Sequence, residues 1–170
     1  MSELKPIDRK LLFELIRNSR RSDRELAKAM GVSQPTITRK RAFIEKELIE
    51  SYTAIPKWAK LGYYIFAITL VKIRTSIATK ERYDAVRKRG LEWLMSQHNV
   101  VMAGGCRGMG VDSFMISIHK TYGEFDEFMR NYRLEMGDFA DDVQSVIVNL
   151  AGTELLKPFN LKYLTETEAK

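Results

Sequence analysis

Apolar residues recur at helical spacing along the first fifty residues of the chain. The first stripe predicts a helix over residues 7–18. Ser22 and Glu25 form a capping box that opens a second, short helix, and Gly31 ends it. Ser33 then caps a third helix. The inward positions are Ile7, Leu11, Leu12, Leu15 and Ile16 in the first helix, Leu26, Ala27 and Met30 in the second, and Ile37, Ile44 and Leu48 in the third.

Residues 63–150 alternate between strand-like and helical patterns instead. The segment 63–74 is apolar at both alternating sets of positions, which is typical of a strand covered on both faces. A helix is predicted over residues 79–97, with Tyr83, Val86, Leu91, Leu94 and Met95 inward. Two strands, 100–105 and 112–119, are joined by a glycine-rich turn over 106–110. Thr121 and Glu124 form another capping box and open a helix that Gly137 ends, and Val143 to Leu150 is the last strand.

The order β-α-β-β-α-β is that of a ferredoxin-like domain, so the predicted fold class is α+β. The helices of such a domain cover one face of its sheet only. Because the other face is apolar too, we expect a second copy of the chain to bury it. The predicted organisation is a three-helix domain over 1–50, a linker strand over 51–62, a ferredoxin-like domain over 63–152 and a C-terminal tail over 153–170.

The composition is that of an ordinary globular protein: 170 residues, 45% hydrophobic and 29% charged. No apolar run is long enough for a bilayer span, and no apolar signal region opens the chain, so we expect neither a membrane partner nor export. The single cysteine, Cys106, fits a reducing cytoplasm. His98, expected to cap a helix end, and His119, expected at the surface, have no metal-ligand spacing with it, so no metal and no cofactor are expected.

A helix that ends in Gly-Val-Ser, followed by a capped basic helix, is the pattern of a helix-turn-helix, here over residues 22–48. Its third helix is then the recognition helix. Glutamine pairs with adenine, arginine with guanine, and threonine contacts thymine methyl groups. The outward residues expected at base edges are Gln34, Thr36, Thr38, Arg39 and Lys40, with Pro35 in the same first turn. The net charge of +6 suits double-stranded DNA as the partner.

Other basic residues lie before and within the second helix, where they are placed to contact phosphates. These are Arg20, Arg21, Arg24 and Lys28. Ser22 and Ser33 cap helices whose first amides can also contact phosphate oxygens. The alternative interpretation of this region is a plain three-helix bundle with a solvated basic surface.

At these positions the chain resembles the Lrp/AsnC family of feast/famine transcriptional regulators. The matching segments are IDRKLL (7–12), ELAKAMGVS (25–33), QPTITRK (34–40), YTAI (52–55) and KLGY (60–63), and the resemblance continues to Leu150. It implies an N-terminal winged helix-turn-helix domain, a linker strand over 51–55 that pairs between subunits, and a C-terminal regulatory domain that dimerises. Many members respond to an amino acid bound between subunits, so an effector of this kind is a further expected partner.

The chain departs from the family pattern at three places. Glu47 runs into Leu48 where the family has a glycine, and Arg41 occupies a position that is usually apolar. We expect Arg41 to emerge at an edge or to reach phosphate. The third departure is in the family's ligand loop, whose usual Thr-Gly-x-Tyr/Phe-Asp pattern is replaced here by Gly108-Met-Gly110-Val-Asp112. The candidate effector residues at this loop are Gly104, Gly105, Gly108, Gly110 and Asp112. A simple hairpin turn, with Asp112 capping it, is the alternative.

Two other functions remain open from the sequence. Some tetrapyrrole decarboxylases have this two-domain architecture, and they would need histidine and arginine in a pocket of the second domain. An architectural protein that coats DNA broadly is the other alternative. The basic recognition helix and the presence of only two histidines favour a regulator that is not an enzyme and that acts as a dimer or higher oligomer.

Overall fold

A computed structural model describes residues 4–74, 79–152 and 155–166. They form two compact units. The first comprises residues 4–55 and 158–166, and the second comprises the described residues between 56 and 157. The predicted tail, 153–170, is therefore described in part, and its last described residues belong to the first unit.

The first unit contains the three predicted helices: α1 (Pro6–Arg17), α2 (Asp23–Met30) and α3 (Gln34–Glu47). Its core consists of Leu11, Leu15, Leu26, Ala27, Ile37 and Ile44, all of which were predicted to face inward. Leu48 was also predicted to face inward, and this was wrong, because it follows the end of α3 and is 43% exposed. The capping box at Ser22 is formed on both sides. Gly31 ends α2 in the left-handed region with φ 69°, a conformation in which a side chain is costly.

The segments that flank these helices differ from the prediction. Residues 49–57 contain no strand within the chain. The wing and the linker strand stay predictions, because the expected pairing partner is a second subunit. At the other end, a 3-10 helix, Leu161–Thr165, packs against α1. The sequence pattern did not predict this contact, because a segment of five residues is too short to show a hydrophobic periodicity.

The second unit begins with a 3-10 helix, Trp58–Leu61, and confirms the predicted β-α-β-β-α-β order. Its elements are β1 (Ile65–Ile73), α4 (Lys80–Ser96), β2 (Val100–Gly108), β3 (Val111–His119), α5 (Tyr122–Met136) and β4 (Ala140–Asn149). The antiparallel sheet has the strand order β2-β3-β1-β4, which is the ferredoxin-like arrangement.

The core of the second unit lies between one face of this sheet and the helices. Ala67, Val71 and Met115 on the strands meet an α5 face of Phe125, Phe128, Met129, Tyr132 and Met136. Residues in the intervening strand positions form the opposite face: Phe66, Ile68 and Leu70 on β1, Phe114 and Ile116 on β3, Met102 on β2 and Val146 on β4. Met102 and Val146 are more than half exposed, so this apolar face stays open within one chain.

Helix α4 is rotated relative to the prediction. Tyr83, Leu91 and Met95 were predicted to face inward but are at least half exposed. Val86 is buried and Leu94 packs against the core, as predicted. The cause is Trp93, whose ring packs against Phe128 at 5.4 Å and Tyr132 at 5.2 Å between centroids. The apolar residues of α4 form two stripes, and the large aromatic ring decides which stripe faces the core.

His119 was expected at the surface, and this was wrong. The ring is buried between Phe125 and Phe128, and its Nε2 lies 2.8 Å from the Ser117 hydroxyl. Burial lowers the pKa of His119 from its ordinary value. The position ends a strand in the sequence, but α5 folds back over that end.

The turn between β2 and β3 is shorter than predicted. The strand β2 continues through Cys106 to Gly108, so the loop consists of Met109 and Gly110 alone. Both have positive φ, 53° and 72°, as a two-residue hairpin of the type favoured by Asn-Gly requires. Methionine is poorly suited to the first of these positions.

Replacing Met109 with asparagine is therefore expected to raise the free energy of unfolding by up to about 1 kcal/mol. Both tryptophans, Trp58 and Trp93, lie in the second unit, so urea unfolding followed by tryptophan fluorescence measures this effect. Arg107→Asn, on β2 and outside the positive-φ turn, is the control and is expected to bring no gain. Equal stability of Met109→Asn and the parent would contradict the strain argument.

Candidate nucleic-acid interface

The turn between α2 and α3 sets the direction of the recognition helix. The backbone amide of Val32 donates to the Ala27 carbonyl at 3.1 Å, and the Ser33 hydroxyl accepts from the amide of Thr36. Ile37 and Ile44 on α3 are fully buried. With this face inside, the N-terminal turns of α3 present their other side to solvent.

Two of the predicted base-contacting residues are exposed to solvent and unengaged within the described part of the chain. Gln34 and Arg39 are exposed, and their side chains make no hydrogen bond or ion pair with any described residue. Pro35 beside them is exposed as well. Thr36 is half-buried, and its hydroxyl oxygen lies 2.8 Å from that of Ser33, so the cap engages it.

The hydroxyl of Thr38 is already engaged in the folded chain. It donates to Asp23 Oδ2 at 2.6 Å and approaches the Gln34 carbonyl at 3.2 Å. The Thr38 hydrogen bond, together with Arg41, holds the pKa of the Asp23 carboxyl below its ordinary value. The exposed methyl group of Thr38 is the part that remains for a base contact.

Lys40 does not point with the other predicted base-contacting residues. Its ammonium group donates to Asp8 Oδ1 at 2.5 Å, and the two side chains are only 18% and 9% exposed. The structure therefore corrects the placement of Lys40, which ties α3 to α1. An ion pair across thirty-two residues left no local pattern in the sequence.

Arg41 is the centre of a polar network, and it reaches no solvent edge as a free cation. Its guanidinium donates to Glu45 Oε1 at 2.8 Å and to Asp23 Oδ1 at 3.1 Å. It also donates to the carbonyls of Arg21 and Ser19, at 3.0 and 3.1 Å. The family resemblance predicts an apolar residue at this position. Arg41 is accommodated there because it donates hydrogen bonds to two carbonyls of the loop before α2.

Glu45 completes this network. Arg41 and then the Tyr52 hydroxyl, which donates at 2.9 Å, hold the pKa of the Glu45 carboxyl below its ordinary value. Burial, and then the Glu45 carboxylate, raise the pKa of Tyr52. Asp23, Glu45 and Tyr52 were not among the residues predicted for this site. The spacing of Arg41 and Glu45, four residues apart on a helix, was the available signal.

The predicted phosphate contacts fall into two groups. Arg20, Arg24 and Lys28 are exposed, and their side chains have no polar partner among the described residues. Arg21 is instead paired with Glu14 and donates to the Glu25 carbonyl at 3.3 Å. The hydroxyl of Ser22 caps α2, and its backbone amide donates to Glu25 at 2.7 Å.

The candidate effector residues lie on the β2–β3 hairpin. Gly104, Gly105 and Gly108 are in β2, and Gly110 is in the turn. Asp112 Oδ2 accepts the backbone amide of Ile73 at 2.8 Å, so one carboxylate oxygen secures the end of β1. Asp112 therefore caps the end of a neighbouring strand, and its role toward an effector stays a prediction.

A cleft of about 530 Å³ lies elsewhere in the second unit. Its walls include Trp58, Tyr63, His119, Lys120, Glu127 and Asn131. None of the candidate effector residues lines it. Within the described ranges, no cluster of histidine, cysteine and acidic residues could hold a metal ion, and no helix is long and apolar enough to cross a membrane.

Comparison with known proteins identifies the class of the first unit. Residues 5–41 match the AsnC-type helix-turn-helix domain. An uncharacterized HTH-type transcriptional regulator from Pyrococcus furiosus is 33% identical over 88 residues, 51% of this chain and 57% of the relative. One from Pyrococcus abyssi is 39% identical over 75 residues, 44% and 50% of the two chains. The chain thus spans about half the length of these curated relatives.

Solved structures resemble the fold over most of its length. An AsnC family transcriptional regulator from Agrobacterium tumefaciens has a TM-score of 0.75 at 21% identity, over 95% of this chain and 99% of that chain. A Neisseria meningitidis transcriptional regulator in complex with L-Met has 0.74 at 20% identity, over 86% and 90%. Escherichia coli AsnC has 0.68 at 19% identity, over 92% and 98%.

The first unit is therefore a helix-turn-helix domain. It is of the AsnC type, and the chain as a whole has the α+β fold found in AsnC family regulators. The resemblance noted in the sequence is confirmed for this domain and for the fold.

Arg41→Met is expected to lower the stability of this domain by about 1–3 kcal/mol, because it leaves half-buried acceptors unpaired. The pKa of Asp23 and of Glu45 is lower in the folded chain than the ordinary values of 3.8 and 4.5. The stabilisation that they give is therefore complete above those ordinary values and is lost as the pH falls below them and through the lower pKa of the folded state. The variant should therefore lose less stability than the parent between pH 7 and about pH 3.

Far-UV circular dichroism during urea unfolding measures this change. The first unit has no tryptophan, so a change in the helical signal that occurs without a change in tryptophan fluorescence is assigned to that unit. The exposed Lys46→Met is the matched control. An unaltered pH dependence in Arg41→Met would contradict the role given to the network.

Proposed function

We propose that the chain is a sequence-specific DNA-binding transcriptional regulator of the Lrp/AsnC type, acting in the cytoplasm as a dimer or higher oligomer. One observation carries the proposal: an AsnC-type helix-turn-helix domain presents Gln34 and Arg39 exposed and without a polar partner among the described residues. A plain solvated bundle gives no reason for the AsnC-type turn and the capped helix that carry these two side chains.

In this proposal α3 enters the major groove with its N-terminal turns. Arg39 donates to guanine and Gln34 pairs with adenine, while the methyl group of Thr38 contacts thymine. Arg20, Arg24 and Lys28 bind phosphates, which orient the protein without selecting sequence. Lys40 has no direct role, because its charge is committed to Asp8.

Arg39→Ala is expected to relax base preference, at a cost of about 1–3 kcal/mol on the best site. Arg24→Ala is expected to weaken all sequences alike and to reduce the slope of log affinity against log salt by about 0.9. Selection from random DNA, followed by salt titration on the enriched site, measures both. No enriched sequence with the parent protein would favour a DNA-coating protein and contradict the regulator.

The oligomer is supported by the open apolar face of the sheet. Phe66, Ile68, Phe114 and Ile116 lie on it, and none belongs to the core of their own unit. Burying apolar area is the main favourable term in association, and a second identical face fits it by two-fold symmetry. Paired recognition helices would then contact half-sites about one helical turn apart, roughly 10 base pairs.

Ile116→Lys is expected to convert the dimer to monomer, because a charge on a buried face costs several kcal/mol when it lacks a partner. Sedimentation velocity at a series of concentrations measures the change. Leu134→Lys places the same charge on the exposed side of α5, where the side chain is 77% exposed, and should leave the mass unchanged. A monomeric parent, or a dimeric Ile116→Lys, would refute this interface.

We further propose that a small effector, such as an amino acid, modulates DNA binding from the second unit. The support is the structural neighbour described as an L-Met complex, together with the glycine-rich hairpin ending at Asp112. DNA affinity measured with and without L-methionine tests the idea, with Asp112→Asn as the variant expected to lose the response.

A further inference from the structure

A chain of polar contacts connects the C-terminal segment to a basic residue of the DNA-binding surface. The Arg17 guanidinium donates to Thr165 through Nε, at 2.8 Å from Oγ1, and through a second nitrogen to the Thr165 carbonyl. Its remaining nitrogen donates to Glu14 Oε1 at 2.9 Å. The other Glu14 oxygen accepts from Arg21. All these residues belong to the first unit.

The far end of this chain is held firmly. Thr165 is fully buried, and its hydroxyl donates to the Lys162 carbonyl at 2.7 Å. Asn160 caps the 3-10 helix by accepting the Lys162 amide at 2.9 Å. The segment therefore presents Thr165 to α1 in one defined position, and Arg17 has two fixed acceptors there.

Arg21 differs in this respect from the arginines beside it. The side chains of Arg20 and Arg24 are exposed and have no polar partner in the described part of the chain, whereas Arg21 is only 27% exposed and faces a carboxylate. A compensated cation releases few counterions when it approaches a phosphate, since it must first leave its own anion. Contact between Arg21 and a DNA phosphate therefore requires that its ion pair with Glu14 be broken.

We propose that Glu14 is a positioning residue that withholds Arg21 from the DNA backbone, and that docking of the C-terminal segment maintains this restraint. This proposal rests on the proposed DNA-binding function. With Thr165 in place, Arg17 offers one nitrogen to Glu14 and leaves the second oxygen to Arg21. Without the Thr165 hydroxyl, only the Thr165 carbonyl still holds Arg17, so the guanidinium turns further toward Glu14 and weakens the Glu14–Arg21 pair. The C-terminal segment thereby adjusts how many cations contact phosphate.

The test is a salt titration of binding to a random-sequence duplex, with the full-length chain. Glu14→Gln should steepen the slope of log affinity against log salt by about 0.9, the value for one more phosphate contact. Thr165→Val, which keeps the volume and removes the hydroxyl, should steepen it in the same direction by a smaller amount. Neither change should alter the slope when Arg21→Ala is already present.

Glu50→Gln is the matched control, because it removes the same charge from an exposed position of the same unit. An equal steepening by Glu50→Gln would attribute the effect to net charge alone and overturn the proposal. So would steepening by Glu14→Gln that persists in Arg21→Ala. Helical circular dichroism confirms that each variant is folded, and a loss of folding would not steepen the slope.

Failure of the two proposals is distinguishable. A parent protein that binds no duplex, random or selected, refutes the DNA-binding function itself. A parent that binds with ordinary salt dependence, with effects of Glu14→Gln and Arg21→Ala that simply add, refutes only the restraint on Arg21.

Discussion

The carboxylate of Asp23 ties the recognition helix to the start of α2. One of its oxygens accepts from Thr38 and the other from Arg41, so the first turn of α2 is tied to two successive turns of α3. The apolar core buries Ile37 and Ile44 on the same helix, but apolar contacts are not directional. The two hydrogen bonds to Asp23 add a directional constraint on α3. Any contact that Arg39 makes with a base edge depends on this orientation.

Fewer basic side chains of the first unit are available to DNA than its composition suggests, because several are paired with carboxylates. Lys40, Arg41 and Arg21 form ion pairs with carboxylates of the same unit. Arg20, Arg24, Lys28 and Arg39 are exposed and have no polar partner among the described residues. Ion pairing within the unit thus separates the basic residues that stabilise the domain from those available to a polyanion. Glu14 is the carboxylate that keeps Arg21 in the first group.

The second unit is organised by a different force. Aromatic packing of Trp93 on Phe128 and Tyr132 sets α4 on one face of the sheet, while the opposite face is left apolar and open. Hydrogen bonds are directional, so a polar network favours one orientation of a helix. The hydrophobic effect is not directional, so an open apolar face favours burial without specifying the geometry of its partner. This is why the first unit suggests a specific contact geometry and the second suggests an assembly.

Periodicity and capping chemistry determined the element order, the helix-turn-helix and the two-faced sheet, because each depends on residues near one another in the sequence. Tertiary structure alone decided the rest: the rotation of α4, the burial of His119, the commitment of Lys40 to Asp8, and the docking of Thr165 on Arg17. Those features join residues far apart in the chain, and the choice among several chemically suitable partners is made only when the packed core brings one of them within hydrogen-bond distance.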